Sequence, residues 1–140
     1  MRWLGRLVLL AGGPLASAAC GSVEDASPLD RSAAPVVAPL AEAYCDIVVV
    51  GRGTLAAEDY YLPHVITCEN GGAGLEALKA QAIAARSVAY YAMADAGSIC
   101  DGQGCQVYTC GATPGALAYQ AVAETRGEYL AYGGMLTYGF

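Results

Sequence analysis

Between Leu75 and Ala96 the sequence reads as one uninterrupted amphipathic helix. Leu75, Leu78, Ala82, Ala85, Ala89 and Met93 recur every three or four residues and trace a single face. Alanine gives high helix propensity at no cost in side-chain entropy. It also leaves the helix thin, so that neighbouring elements can approach closely. Gly97 follows as a natural C-terminal stop. A chain of 140 residues makes one domain at most, and this helix is its central element.

Shorter elements flank it. Ile47-Val48-Val49-Val50 is a β-branched run that Gly51-Arg52-Gly53 terminates, which predicts a strand near 45–50. Thr54 can cap a following helix, with Glu58 and Asp59 in its first turns, where the helix dipole favours acids. Pro63 must kink or restart that helix. Glu69 stands at its exit, before the break Asn70-Gly71-Gly72-Ala73-Gly74. Pro114 fits the first turn of another helix over about 115–125, with Leu117, Ala121 and Val122 on one side. Two alternating segments, 128–132 and 135–138, surround Gly133-Gly134 and predict a hairpin. The expected architecture is α+β: a long Ala-rich central helix packed with shorter helices on small antiparallel strands.

The N-terminus reads as an address. Arg2 and Arg6 precede a short apolar centre of Leu4, Leu7, Val8, Leu9 and Leu10, and small residues lead to Cys20. This is the plan of a secretory signal, expected over 1–19. Its apolar part is too short to span a bilayer. Cys20 after Ala18-Ala19 resembles a bacterial lipoprotein junction, which makes Cys20 the expected lipid attachment site. Ser17 replaces the usual leucine three residues before it, so ordinary cleavage after Ala18 or Ala19 stays open. Residues 20–40, with prolines at 28, 35 and 39, read as a tether. The folded domain is expected over 41–140.

The chain carries 7 basic and 13 acidic residues, for a net charge of −6, the wrong sign for a nucleic-acid partner. With 56% hydrophobic and 14% charged residues it is not a disordered chain. The expected membrane contact is through an N-terminal lipid alone. No phosphate loop or dinucleotide fingerprint occurs.

Export implies an oxidising compartment, in which disulfides persist. The cysteines are Cys20, Cys45, Cys68, Cys100, Cys105 and Cys110. A lipidated Cys20 leaves an odd number. The favoured pairs are Cys100–Cys105 and Cys45–Cys68, although sequence does not fix connectivity. Zinc in the Cys100–Cys105 loop is the weaker alternative. Structural zinc usually takes four Cys or His ligands, and the only histidine, His64, is far off in sequence.

Four segments resemble the stage II sporulation protein D and amidase-enhancer family of bacterial cell-wall proteins. They are Tyr61-Leu62 with Val65-Ile66 and Glu69; the run from Leu75 to Ser87; Cys105-Gln106-Val107-Tyr108 with Cys100 before it; and Ala121-Val122 with Thr125-Arg126-Gly127 and Tyr129-Leu130. Together they span about 55–135. The resemblance implies a protein acting on peptidoglycan glycan strands. Some members are lytic transglycosylases with a glutamate, matching Glu69, as acid/base; others enhance cell-wall amidases. Some hold zinc in the loop matching 100–105. Three positions depart from the family: His64 replaces a glycine, Asn70-Gly71 replaces Met-Pro, and Gly104 stands where a histidine often does. The family also continues into a Ser/Gly-rich segment about where this sequence ends at Phe140, so an incomplete domain is expected.

The implied chemistry asks much of one carboxyl. It first protonates the glycosidic oxygen leaving muramyl C1, then removes the proton of the muramyl C6 hydroxyl as a 1,6-anhydro ring closes. A glutamate does both only if its pKa is raised towards neutrality. Apolar neighbours such as Val65 and Ile66 would raise it by desolvation. Tyr108 is the leading aromatic platform for a pyranose face. Gln106, like Gln81, can hydrogen-bond sugar or cap backbone. Arg86 can grip substrate, with simple pairing to Glu76 or Asp95 as the plainer reading. His64 reads as a half-buried polar residue. Two alternatives to the enzyme stay open: a non-catalytic peptidoglycan-binding or amidase-enhancing module, and an inactive fragment.

Overall fold

A computed structural model describes residues 43–138. The expected signal peptide, the Cys20 lipid site and the whole of the tether lie outside these residues. The element order is β1 (Asp46–Val49), β2 (Gly53–Ala56), a single π-helical turn (Ala57–Tyr61), α1 (Leu62–Asn70), α2 (Leu75–Ala96), α3 (Ala116–Glu124), β3 (Ala131–Tyr132) and β4 (Met135–Leu136). The fold is α+β, with two separate two-stranded antiparallel sheets. No helix among the described residues is long and apolar enough to cross a membrane.

β1 alternates exposed and buried residues, with Ile47 and Val49 inward. It pairs with β2 in the register Asp46↔Ala56 to Val49↔Gly53. Here the structure corrects the expected helix cap at Thr54. Gly51 and Gly53 take positive φ, 75° and 91°, a region that favours glycine. They reverse the chain, and Thr54 becomes a strand residue opposite Val48. The helical stretch begins three residues later, with Glu58 and Asp59 in its first turn. Pro63, near the start of α1, marks the restart after the π turn.

α2 occupies the predicted span, and Gly97 caps it at φ 69°. Leu78, Ala82, Ala85 and Ala89 are buried along its inner face, with Leu75 and Met93 packed at the margins. It packs chiefly on α3 and α1 rather than on the strands. α3 answers with Ala118, Ala121 and Val122. Small residues on both sides let the two helices approach closely. Leu117, expected on that inner face, is 48% exposed. The buried stripe runs through its neighbour Ala118, and one residue along a helix turns the side chain by about 100°. Pro114 is buried just before the N-cap Gly115, outside the helix.

Arg86 ties four segments together. It is fully buried, and its Nε and Nη2 each donate to one oxygen of Glu58 at 2.7 Å. Its Nη1 donates to the Glu128 carbonyl at 2.9 Å, and Nη2 also reaches the Val122 carbonyl at 3.4 Å. A bidentate pair of this kind suits the planar guanidinium. It joins the π turn, α2, the end of α3 and the segment before the hairpin. The β3–β4 hairpin forms as predicted, turning through Gly133 and Gly134.

Candidate active site

The glutamate helix α1, the central helix α2 and the loop after α2 meet around a cleft of about 340 Å³. Glu69 and Gln81 stand on one side, with Ala84, Ala85 and Val88 along the floor; Gln103, Gly104, Cys105 and Gln106 come from the loop, and Tyr138 from beyond the hairpin.

Glu69 reaches the cleft because α1 ends there. Gly71 N–H closes the last turn on the Thr67 carbonyl, and the glycine-rich break turns the chain directly into α2. Helix α1 buries Leu62, Pro63, Val65 and Ile66, so its last turn emerges with Glu69 at the boundary between core and solvent. Burial pushes the Glu69 carboxyl above the usual glutamate value, and a hydrogen bond from Gln81 Nε2 to its Oε2 partly opposes that shift. An upward shift of this kind is one of the conditions for acid/base work by a glutamate.

The loop forming the opposite wall has little regular structure and is held by cross-links. Cys100 and Cys105 are bonded, as expected. The expected Cys45–Cys68 pair is corrected: Cys68 bonds to Cys110. The reason is distance. Cys45 lies at the start of the helical stretch, where Ala57 N–H donates to its carbonyl at 2.8 Å. Cys68 is eleven residues beyond Ala57, roughly 16 Å at 1.5 Å per residue, well beyond the ~7 Å that a disulfide spans between Cα atoms. No described cysteine is free. Among the described residues no three His, Cys, Asp or Glu side chains are grouped to hold a metal ion.

Asp101 organises the same loop. It accepts from Tyr108 N–H at 3.1 Å, from the Thr109 hydroxyl, and from Arg52 at 3.4 Å. Partial burial would raise its pKa, but these donors together hold the carboxyl below its usual value. Ile99 joins the loop to β1 by two backbone hydrogen bonds of 2.9 Å with Val48 and Val50.

The other candidates divide between cleft and scaffold. Gln106 lines the cleft, yet its side chain is held on both ends: Tyr61 Oη donates to its Oε1 and its Nε2 donates to the Ala85 carbonyl, each at 3.0 Å. Burial, chiefly, and the charges of Glu69 and Asp101 push the Tyr61 hydroxyl far above its usual value, which keeps it protonated as a donor. Tyr108 is only 6% exposed and packs its ring on Tyr61 at 5.6 Å. It supports the wall from behind instead of presenting a face to a sugar. Arg86 likewise lies in the core, paired with Glu58, which sequence reasoning did not single out. His64 is half-buried; its Nδ1 hydrogen-bonds the Tyr60 carbonyl at 2.8 Å and its ring lies on Tyr60. Gln103 and Tyr138 were missed because nothing in their local sequence marks them. Only the folding of the loop and hairpin brings them to Glu69.

A family model described as stage II sporulation protein matches residues 52–132, more than half of the chain. The chain belongs to this family. The matched span includes Glu69, Gln81, Gln103 and Gln106, so the family's domain and the cleft coincide except for Tyr138. Membership gives the protein a cell-wall-related role. No curated protein and no solved structure matches the chain significantly.

Proposed function

We propose that this domain is a peptidoglycan lytic transglycosylase in which Glu69 serves as the single acid and base. The observation that carries the reading is the Glu69 carboxyl, set at the mouth of a cleft with its pKa raised by burial. Glu69 protonates the leaving glycosidic oxygen and then accepts the C6 hydroxyl proton as the 1,6-anhydro ring forms. Besides Glu69 the cleft is lined by three neutral amides, a tyrosine and small or apolar residues, with no second charged side chain among the described residues, a chemistry suited to hydroxyl and acetamido groups. The substrate is the glycan strand. The protein works outside the cytoplasm, in the bacterial envelope.

A second reading, a module that binds peptidoglycan or enhances a cell-wall amidase without cleaving, is favoured by one observation. Asn70-Gly71 replaces the family's Met-Pro, and α1 ends one residue after the glutamate. Product chemistry separates the two. Peptidoglycan stripped of peptides, incubated with the protein and with Glu69→Gln, is assayed by mass spectrometry. Anhydromuramyl ends from the wild type alone support the enzyme. Their absence from a folded wild type overturns it, and retention on sacculi would then support the binding module.

A further inference from the structure

We propose that Gln81 is the positioning residue for Glu69, its side-chain amide holding the carboxyl at the cleft wall in both protonation states. The inference rests on the acid/base reading of Glu69 above, and it names a second residue of that site. Gln81 lies in the second turn of α2 and Glu69 in the last turn of α1. The glycine-rich break folds them together, so that Gln81 Nε2 donates to Glu69 Oε2 and both side chains line the same cleft.

A primary amide has an NH₂ donor at one end and a carbonyl acceptor at the other. Facing a carboxylate it donates. Turned about its last bond, it accepts from a carboxylic acid. A cation at this position would lock Glu69 in its charged form, and an apolar side chain would leave burial unopposed. Only a neutral two-faced partner serves a carboxyl that must alternate between states.

The other buried cleft amide cannot take this part. Gln106 is fixed at one end by Tyr61 and at the other by the Ala85 carbonyl. Gln81, by contrast, has Glu69 as its side-chain hydrogen-bond partner among the described residues and is itself only half-buried, so its amide has room to turn. The titratable groups facing Glu69 are Tyr61 from the π turn and Tyr138 from beyond β4; no cationic side chain lines the cleft among the described residues.

The test is a ¹³C-detected titration of the Glu69 carboxyl in the full chain, for wild type, Gln81→Leu and Gln81→Glu. Loss of the amide donor is expected to raise the Glu69 pKa by roughly one unit, and the added carboxylate to raise it further. In the glycan-cleavage assay kcat is expected to fall about tenfold to a hundredfold while KM stays within about twofold. The alkaline limb of the kcat/KM profile should move up with the titration. Gln81→Glu has nearly the wild-type shape, so it keeps the test decisive should Gln81→Leu fail to fold. An unchanged Glu69 titration in the folded variants overturns the proposal, as does a wild-type kcat and pH profile. Because the titration needs no substrate, it judges Gln81 even if the wild type proves inactive, an outcome that sinks only the catalytic reading of Glu69.

Discussion

The chemistry of this domain turns on where a few charges sit relative to solvent. Arg86 and Glu58 are both buried, with the guanidinium saturated by a carboxylate and two carbonyls. Removing one partner of such a pair leaves an uncompensated charge in the core. Arg86→Met is therefore expected to cost about 3–5 kcal/mol in urea unfolding. The double variant Glu58→Met/Arg86→Met should recover much of that loss. Glu69 and Asp101 make opposite predictions for pH. The folded state raises the Glu69 pKa, so its contribution is fully present below the usual glutamate value and is lost as pH rises through the folded value. Glu69→Gln should thus gain stability relative to wild type as pH rises through that window, read from thermal midpoints. Asp101 is held below its usual value, so its contribution is present above that value and is lost as pH falls through the folded one. Asp101→Asn should flatten the acid limb.

At the level of elements, the cleft has one regular wall and one stapled wall. α1 and α2 are held by packing, whereas the loop opposite depends on two disulfides and Asp101. The Cys68–Cys110 bridge joins residues 42 apart and Cys100–Cys105 joins residues five apart. Loop-closure entropy gives the long bridge about 4 kcal/mol and the short one about 2. Cys68→Ala/Cys110→Ala is expected to lower the urea midpoint by about twice as much as Cys100→Ala/Cys105→Ala. The same contrast explains what could be read in advance. α2 was legible to the residue because Leu78, Ala82, Ala85 and Ala89 repeat with helical period and a glycine follows. The hairpin announced itself through Gly133-Gly134. β2 did not, because Gly-Thr-Leu-Ala carries no strand signal of its own and exists by pairing with β1. The Cys68 partner was hidden for a similar reason, since connectivity depends on how far the helical stretch carries Cys68 from Cys45. The place of Glu69 at the end of α1 was legible from the glycine-rich break that follows it. Tyr108 was misread because tyrosine serves equally as sugar platform and as core, and local sequence does not distinguish them.

Over the described part of the molecule, burial is deepest around the three helices and least at the hairpin. The core runs from Ile47 and Val49 of β1 through the three helices to Tyr108 of the loop. The β3–β4 hairpin lies at its margin; Tyr132 is 81% and Met135 57% exposed. Its strands are two residues long and, among the described residues, pair only with each other. Such a hairpin has little to hold it. Amides at 131–136 are expected to exchange with solvent deuterium well before those of α2; equal protection of the two regions would contradict this picture. The opposite extreme is α2 itself. Cys68 and Cys110 lie on either side of it in sequence, so the bridge between them closes a covalent ring that contains the entire central helix. A peptide bond cut anywhere inside that ring, including the exposed glycines that follow Asn70, severs the backbone without releasing either half. The nicked protein remains one molecule until a thiol opens the ring.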